Sequence, residues 1–449
     1  MEGDASSIQK EEEEMSFARS RVPRILGALL AAILVVGLLG GCGGGSQSVP
    51  QSSQPATSTK APEASKPAES AKPAQSSAPA ASAQPLKIGV NYILSGPSGA
   101  IGTKHMIGLE MAVDEINAAG GIMGRKVELV VRDDGGDPTK TLSNAQELVE
   151  KQGISIIMGA TSSSQQLAMA PYTTDQKVFD IGSFSADSTN DPVKYPYAFT
   201  ISPLAAQQAA AVVKYAVQIL KAKNLGILAD TGAYGKSTTD AFLKALESMG
   251  APKPVAIENY AFGAADMTAQ LNNLKKAGVE AILTTSLAAD TVRILKNMKS
   301  IGWDVPYLGS SDLASSTVVE GVGAENMGKV YGYYVKRLSF SDKIPVPAKT
   351  KEFAAKLAKK VGQNPLKEAV FMPSFAYDEM YLVKKVIEET KSTDGPKLAA
   401  ALENVKNYDG VHANLTFSKE MHGGMPLDEM VMVKAANMKD GFFELAPGY

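Results

Sequence analysis

From Leu86 onward, short apolar runs alternate with stretches whose apolar residues return every three or four positions. Leu86-Lys87-Ile88-Gly89-Val90 has the length of a strand. After it, Leu109, Ala112, Val113 and Ile116 fall at i, i+3, i+4 and i+7, on one helical face. Asn117-Ala118-Ala119-Gly120-Gly121 ends that helix on glycines. Val127 to Val131 reads as the next strand. Leu142, Ala145, Leu148 and Val149 mark a second helix, and Ile154 to Ile157 a third strand. The second half repeats the scheme. Strands are predicted at Leu225–Leu228 and Ala281–Leu283. Helices are predicted around Phe242, Ala245, Leu246 and Met249, and around Ile294, Leu295 and Met298. Repeated βα units with buried strands predict an α/β fold of doubly wound parallel sheets, and two successive sets predict two similar lobes. In open α/β sheets ligands sit outside the carboxyl ends of strands, so the loops after the strands are the expected place for chemistry.

The pattern differs ahead of Leu86. Arg19, Arg21 and Arg24 precede an apolar run from Ile25 to Leu39. This is the order of a secretory signal. The run is about 15 residues, short of the roughly 20 that a membrane-spanning helix needs. Leu39-Gly40-Gly41-Cys42 resembles a bacterial lipobox, cut just before a cysteine that then carries lipid. Residues 1–42 are therefore expected to be a lipoprotein signal, with Cys42 the lipidation site outside the cytoplasm. A short transmembrane anchor is the alternative, and Met1 and Met15 are both open as start residues. Residues 43–85 contain no Leu, Ile, Phe, Tyr or Trp. With so little to bury, they are expected to form a disordered tether.

Composition narrows the function classes. The formal charge of the 449-residue chain is −2, with acids and bases interspersed. No basic stripe with interleaved aromatics suggests nucleic acid. One cysteine rules out an intramolecular disulfide. His105, His412 and His422 are the only histidines, and none has metal-ligand spacing. No G-x-S-x-G elbow is present. Gly235-Lys236-Ser237 imitates the end of a P-loop, but Asp230 stands where its first glycine belongs. Gly96, Gly99 and Gly102 lack the dinucleotide spacing. Asp133-Asp134 abuts Gly135-Gly136-Asp137-Pro138 and reads as a solvated turn and helix cap rather than an acid/base pair. No catalytic residue, metal or cofactor is assigned.

Several motifs in order carry a resemblance. Asn91-Tyr92-Ile93-Leu94-Ser95-Gly96-Pro97 resembles the first loop of branched-chain amino acid binding proteins of ABC transporters. These are Leu/Ile/Val-type extracytoplasmic solute receptors with a type I periplasmic-binding fold. The stretch from Gly108-Leu109-Glu110 to Ile122-Met123-Gly124 is similar to the family's most recognisable segment. Asp133 to Pro138, Ser162-Ser163-Ser164, Tyr234-Gly235, Tyr377-Asp378 and Thr416-Phe417 follow in the family's order. The resemblance implies two lobes joined by three crossing segments. Lobe one would hold residues 86–202 and 335–416, and lobe two residues 203–334 and 417–449. Some members bridge two loops with a disulfide, and both matching positions, Gly136 and Ser162, lack cysteine here.

The resemblance also implies ligand-binding positions. Ser163 matches a serine that holds the ligand's carboxylate; capping of the following helix is its other reading. Phe184-Ser185-Ala186 matches a second carboxylate loop, with Ala186 where a threonine is usual and with backbone N–H groups on offer. Tyr234 is a pocket or a surface-turn residue. Ile101 closes over an apolar end or only packs its loop. Asp312 is one residue beyond the expected ammonium partner, Ser311, and could instead cap a helix from Leu313. The implied function is a monomeric, lipid-anchored receptor that passes a small solute to a membrane ABC permease and its ATPase. Branched-chain amino acids, amides, urea and aromatic carboxylates are the candidate solutes. A sensor that presents its closed form to a signalling partner is an alternative, and a hydrolase a more distant one.

Overall fold

The computed structural model describes residues 84–449. Cys42, the lipobox-like stretch and residues 43–83 of the expected tether lie outside the described residues. Among the described residues no helix is long and apolar enough to cross a membrane.

The first sheet is five-stranded and parallel throughout. It comprises β1 (Leu86–Tyr92), β2 (Val127–Asp133), β3 (Ile156–Gly159), β4 (Phe179–Gly182) and β5 (Ala198–Thr200), in the order β2-β1-β3-β4-β5. Because β1 lies between β2 and β3, the winding reverses there and opens a crevice beyond the strand ends. The linking helices are α1 (Gly99–Ala118), α2 (Pro138–Glu150) and α3 (Ser163–Asp175). The predicted third strand is displaced by two residues, because the Ile154 N–H returns to the Leu148 carbonyl and closes α2. Gly120 and Gly121, at φ 105° and 84°, stop α1 as expected. The Asp133-Asp134 expectation needs correction. Asp134 is fully buried, and the cap of α2 is Asp137, whose Oδ1 accepts from the Thr139 N–H at 2.8 Å.

The second sheet has eight strands in the order β11-β15-β14-β10-β9-β8-β6-β7. Its parallel part comprises β6 (Leu225–Asp230), β7 (Ala256–Tyr260), β8 (Ala281–Thr284), β9 (Tyr307–Gly309) and β10 (Val330–Val335). Interleaved or adjoining helices are α4 (Ala205–Lys214), α5 (Ala233–Ser248), α6 (Thr268–Lys276), α7 (Ala288–Ser300) and α8 (Ser316–Val322). After β11 (Ser339–Phe340) come α9 (Ala348–Val361), α10 (Phe371–Thr390) and α11 (Gly395–Leu402). A small hairpin of β12 (Tyr408–Asp409) and β13 (Asn414–Leu415) follows. Then β14 (Met430–Lys439) runs antiparallel to β10, and β15 (Phe442–Leu445) antiparallel to β14. The chain therefore passes between the lobes three times: after β5, after β11 and ahead of β14. Since β11 pairs with β15, the second passage falls beyond residue 340.

The long helix α10 packs on α1 of the first lobe. Gly108 makes the close approach possible, because a Cβ there would stand 1.8 Å from the Pro373 carbonyl oxygen. The Tyr377 and Tyr381 hydroxyls both donate to Glu115 Oε2, at 2.7 and 2.9 Å. Lys104 of α1 pairs with Glu368, just ahead of α10, at 2.7 Å. This crossing brings the first turn of α10 to the end of the first sheet, beside the loops expected to carry function.

Candidate functional site

A cavity of about 270 Å³ lies where the carboxyl ends of the two sets of strands meet. The first lobe supplies Ile101 and His105 from α1, Thr161 to Gln165 after β3, and Ser183 to Ser185 after β4. The second supplies Asp230 at the end of β6, Gly232 and Tyr234 just beyond it, Phe262 after β7, Leu287 after β8, and Ser311 and Asp312 after β9. Tyr333 of β10 and Phe371, Met372 and Phe375 of α10 complete the wall. The lobes also touch directly beside it. The Ala233 N–H donates to Ser164 Oγ at 3.2 Å, and the Asp187 N–H to Ser237 Oγ at 2.9 Å.

Six of the residues singled out from the sequence line this cavity: Ile101, Ser163, Phe184, Ser185, Tyr234 and Asp312. Ala186 does not. It is fully buried, and its N–H donates to Ser163 Oγ at 3.0 Å. The Ser185 N–H does the same at 3.1 Å. Both N–H groups expected to face a ligand are thus taken up inside the protein. Ser163 is not the helix cap either. The cap position is Ser162, and Ser163 opens α3, with its hydroxyl accepting from the loop after β4. With both lone pairs occupied, the hydroxyl proton remains to donate into the cavity. The start of α3 is pinned from below. Gln166 Nε2 donates to Asp180 Oδ1 at 2.8 Å, and Gln166 Oε1 accepts from the Ala160 N–H at 3.3 Å.

Asp312 sits in a short 3-10 turn, Ser311–Leu313, and the helix that follows begins at Ser316 with Ser315 as its cap. The capping reading of Asp312 is therefore replaced. Its side chain is 8 % exposed, and its Oδ1 is buried with no hydrogen-bond partner. Burial pushes its carboxyl up to about 7; the Ala288 N–H and the Lys104 ammonium oppose that rise, and Asp290 adds to it. Tyr234 holds its ring in place by donating from its hydroxyl to Gln208 Oε1 at 2.7 Å. Burial pushes the Tyr234 and Tyr333 hydroxyls up; Tyr333 and then Asp312 add to the rise at Tyr234, while at Tyr333 the Ser311 hydroxyl opposes it and Asp312 adds to it.

Other polar groups at the wall are spoken for or closed off. Asp230 Oδ1 accepts from the Gly232 N–H at 2.8 Å, and its Oδ2 from the Thr285 hydroxyl at 2.9 Å. His105 Nδ1 lies 2.8 Å from the Ile101 carbonyl, which can only accept, so the proton is on Nδ1 and Nε2 is a bare, partnerless acceptor. Burial holds this imidazole down at about 4. A serine–histidine contact exists elsewhere, between Ser374 Oγ and His412 Nδ1 at 2.9 Å. Both residues are fully buried and neither lines the cavity. Among the described residues no group of three or more His, Cys, Asp or Glu gathers at a metal-sized position.

Two lobes, each built on parallel strands whose carboxyl ends face a shared cavity, define a bilobed binding-protein fold. The chain belongs to the periplasmic binding protein family, whose model matches residues 85–440. It is similar to the Leu/Ile/Val-binding protein homolog 3 of Brucella melitensis biotype 1, with 28% identity over 336 residues, 74% of this chain and 87% of the relative. Among solved structures it resembles a type 1 periplasmic binding protein of Bordetella pertussis Tohama I, at TM-score 0.73 and 28% identity, covering 81% and 100% of the two chains. It also resembles the substrate-binding protein LivJ of Streptococcus pneumoniae, solved with isoleucine, at TM-score 0.69 and 25% identity, covering 81% and 99%.

Sequence reading missed several wall residues: Asp230, Phe262, Leu287, Tyr333, Phe371, Met372 and Phe375. Asp230 ends a strand, and Phe262 and Leu287 follow strands, so the strand-end rule alone would have proposed them. The α10 residues follow a helix-bound connection, and no local signal points to them.

Proposed function

We propose that this protein is a lipid-anchored solute receptor of an ABC importer, held outside the cytoplasm through Cys42. It captures a small amphipathic solute, a branched-chain amino acid or a related compound, and delivers it to a membrane permease. The observation that carries this reading is a cavity whose polar groups come from both lobes. The first lobe offers the Ser163 hydroxyl and the amino-terminal end of α3, which suit a carboxylate. The second offers the partnerless carboxylate oxygen of Asp312, which suits an ammonium group. A solute bearing both charges completes its contacts only when the lobes are together, so binding favours the closed form. One chain supplies both walls of the cavity, so a monomer is sufficient for capture. The relatives named for Leu/Ile/Val binding and the isoleucine in the LivJ structure support the amino acid class.

A thermal-shift screen of the full chain against amino acids, amides, urea and aromatic acids tests this. Binding to the native state alone adds about 2.7 kcal/mol at a hundredfold excess over Kd. A rise in melting temperature confined to one class identifies the solute. No rise across the panel at millimolar concentrations overturns the reading.

A further inference from the structure

Resting on that reading, we infer that the solute is an aromatic α-amino acid rather than a branched aliphatic one. Among the larger apolar residues of the cavity wall, aromatic rings outnumber the aliphatic side chains of Ile101, Pro138, Leu287 and Met372. Phe184 comes from the first lobe, Phe262 and Tyr333 from the second, and Phe371 and Phe375 from α10. The two α10 rings are fixed from behind. Phe371 stands 5.0 Å from Phe375 at 61° and 4.8 Å from Tyr334, and Phe375 lies 4.0 Å from His412. Tyr334 and His412 are fully buried, so these rings cannot swing away to reshape the wall. A floor of immobile rings is complementary to a flat ring, which gains edge-to-face or offset contacts that a branched alkyl group does not make.

The volume agrees. An apolar cavity of about 150 Å³ is large enough for one benzene. The 270 Å³ here leaves room for a ring together with the carboxylate and ammonium arms. A leucine or isoleucine side chain would leave part of the ring-lined space unfilled and lose the contacts of its walls. Phe262 stands at the rim, 41 % exposed in the loop after β7, where it can cover a bound ring without being needed for folding.

Isothermal titration of the full chain with L-phenylalanine, L-leucine, L-isoleucine and 3-phenylpropanoate decides this. We expect L-phenylalanine to bind at least about tenfold more tightly than either aliphatic amino acid. Phe262→Ala should weaken phenylalanine more than leucine and so shrink that preference to under about threefold. Phe375→Leu should act in the same direction, and Phe262→Ala stands alone if Phe375→Leu does not fold. Tighter binding of leucine or isoleucine than of phenylalanine overturns the inference and leaves the receptor reading intact. Binding of 3-phenylpropanoate as tight as that of phenylalanine overturns the amino acid part, because no ammonium would then be recognised. Heat from none of the four overturns the inference together with the amino acid class proposed above.

Discussion

Ser163→Ala tests the geometry of the carboxylate end even before a solute is known. In the folded protein Ser163 Oγ accepts from the N–H groups of Ser185 and Ala186, at 3.1 and 3.0 Å. Alanine leaves both donors without a partner. Ala186 is fully buried, so water cannot replace the lost acceptor, and a buried unsatisfied N–H costs about 1–3 kcal/mol. Ser185 is half-buried and borders the cavity, where water can reach it; its loss should add under about 1 kcal/mol. The sum is about 1–4 kcal/mol of native stability, or a fall of roughly 1–5 °C in melting temperature for a chain of this size. Solute affinity should drop further, because the hydroxyl proton no longer reaches the carboxylate. A lost bond to a charged group costs about 1.5–3 kcal/mol, roughly ten- to hundredfold. Scanning calorimetry of the solute-free variant reads the first effect, and titration reads the second. A melting temperature within about 1 °C of the parent would show that the hydroxyl does not hold the loop after β4. The carboxylate assignment built on that loop would then fall.

Three further outcomes follow from named contacts. Asp312→Asn should weaken an amino acid solute by about ten- to hundredfold, since the partnerless Oδ1 loses its charge; unchanged affinity in titration would remove Asp312 from the site. Gly108→Ala should destabilise the fold by roughly 1–3 kcal/mol or more, because its Cβ would meet the Pro373 carbonyl 1.8 Å away; a melting temperature equal to the parent's would mean α1 and α10 do not cross there. Glu379 is fully buried on α10 with both oxygens partnerless, and burial, then the charge on Asp378, raises its carboxyl from 4.5 to about 8. Folded protein then keeps a proton that unfolded chain releases, so stability should fall as pH rises from 4.5 to 8, by at most about 5 kcal/mol. Asp180, Asp312 and Asp378, each raised to about 7, slope the same way, while His105 and His412, both lowered, slope oppositely below 6.5. The readout is therefore the difference between the parent and Glu379→Gln, and parallel profiles would refute it.

Much of the architecture was legible because burial imposes a period. Strands sealed on both faces, such as Leu225–Asp230 and Ala281–Thr284, show as apolar runs that turn polar only at their last residue, Asp230 or Thr284. Helix α1 shows its period because one face packs on the sheet while Glu110 and Asp114 reach solvent. The start of α3 and its serine run were legible for the same reason: a strand end followed by small polar residues is a local pattern. What those serines bond was not legible. Ser163 serves a loop some twenty residues away, and only the folded sheet sets β3 beside β4.

Asp312 marks where counting along the chain gives way to folding. By position it stands one residue past the expected ammonium partner, an offset that a linear count cannot correct. In the folded chain β9 ends at Gly309 and the next residues wind into a 3-10 turn. That turn brings both Ser311 and Asp312 to the cavity wall, so the identity of the charged residue, rather than its index, decides which one can meet a cation. The α10 rings follow a similar logic at longer range. Phe371 and Phe375 lie about sixty residues beyond Asp312, and they join it at one cavity because Gly108 lets α10 settle on α1. A pocket assembled this way separates its two tasks. In the proposed receptor, local loops after strands would hold the charges common to a class of solutes, and a distant crossing helix would set the shape that selects among them.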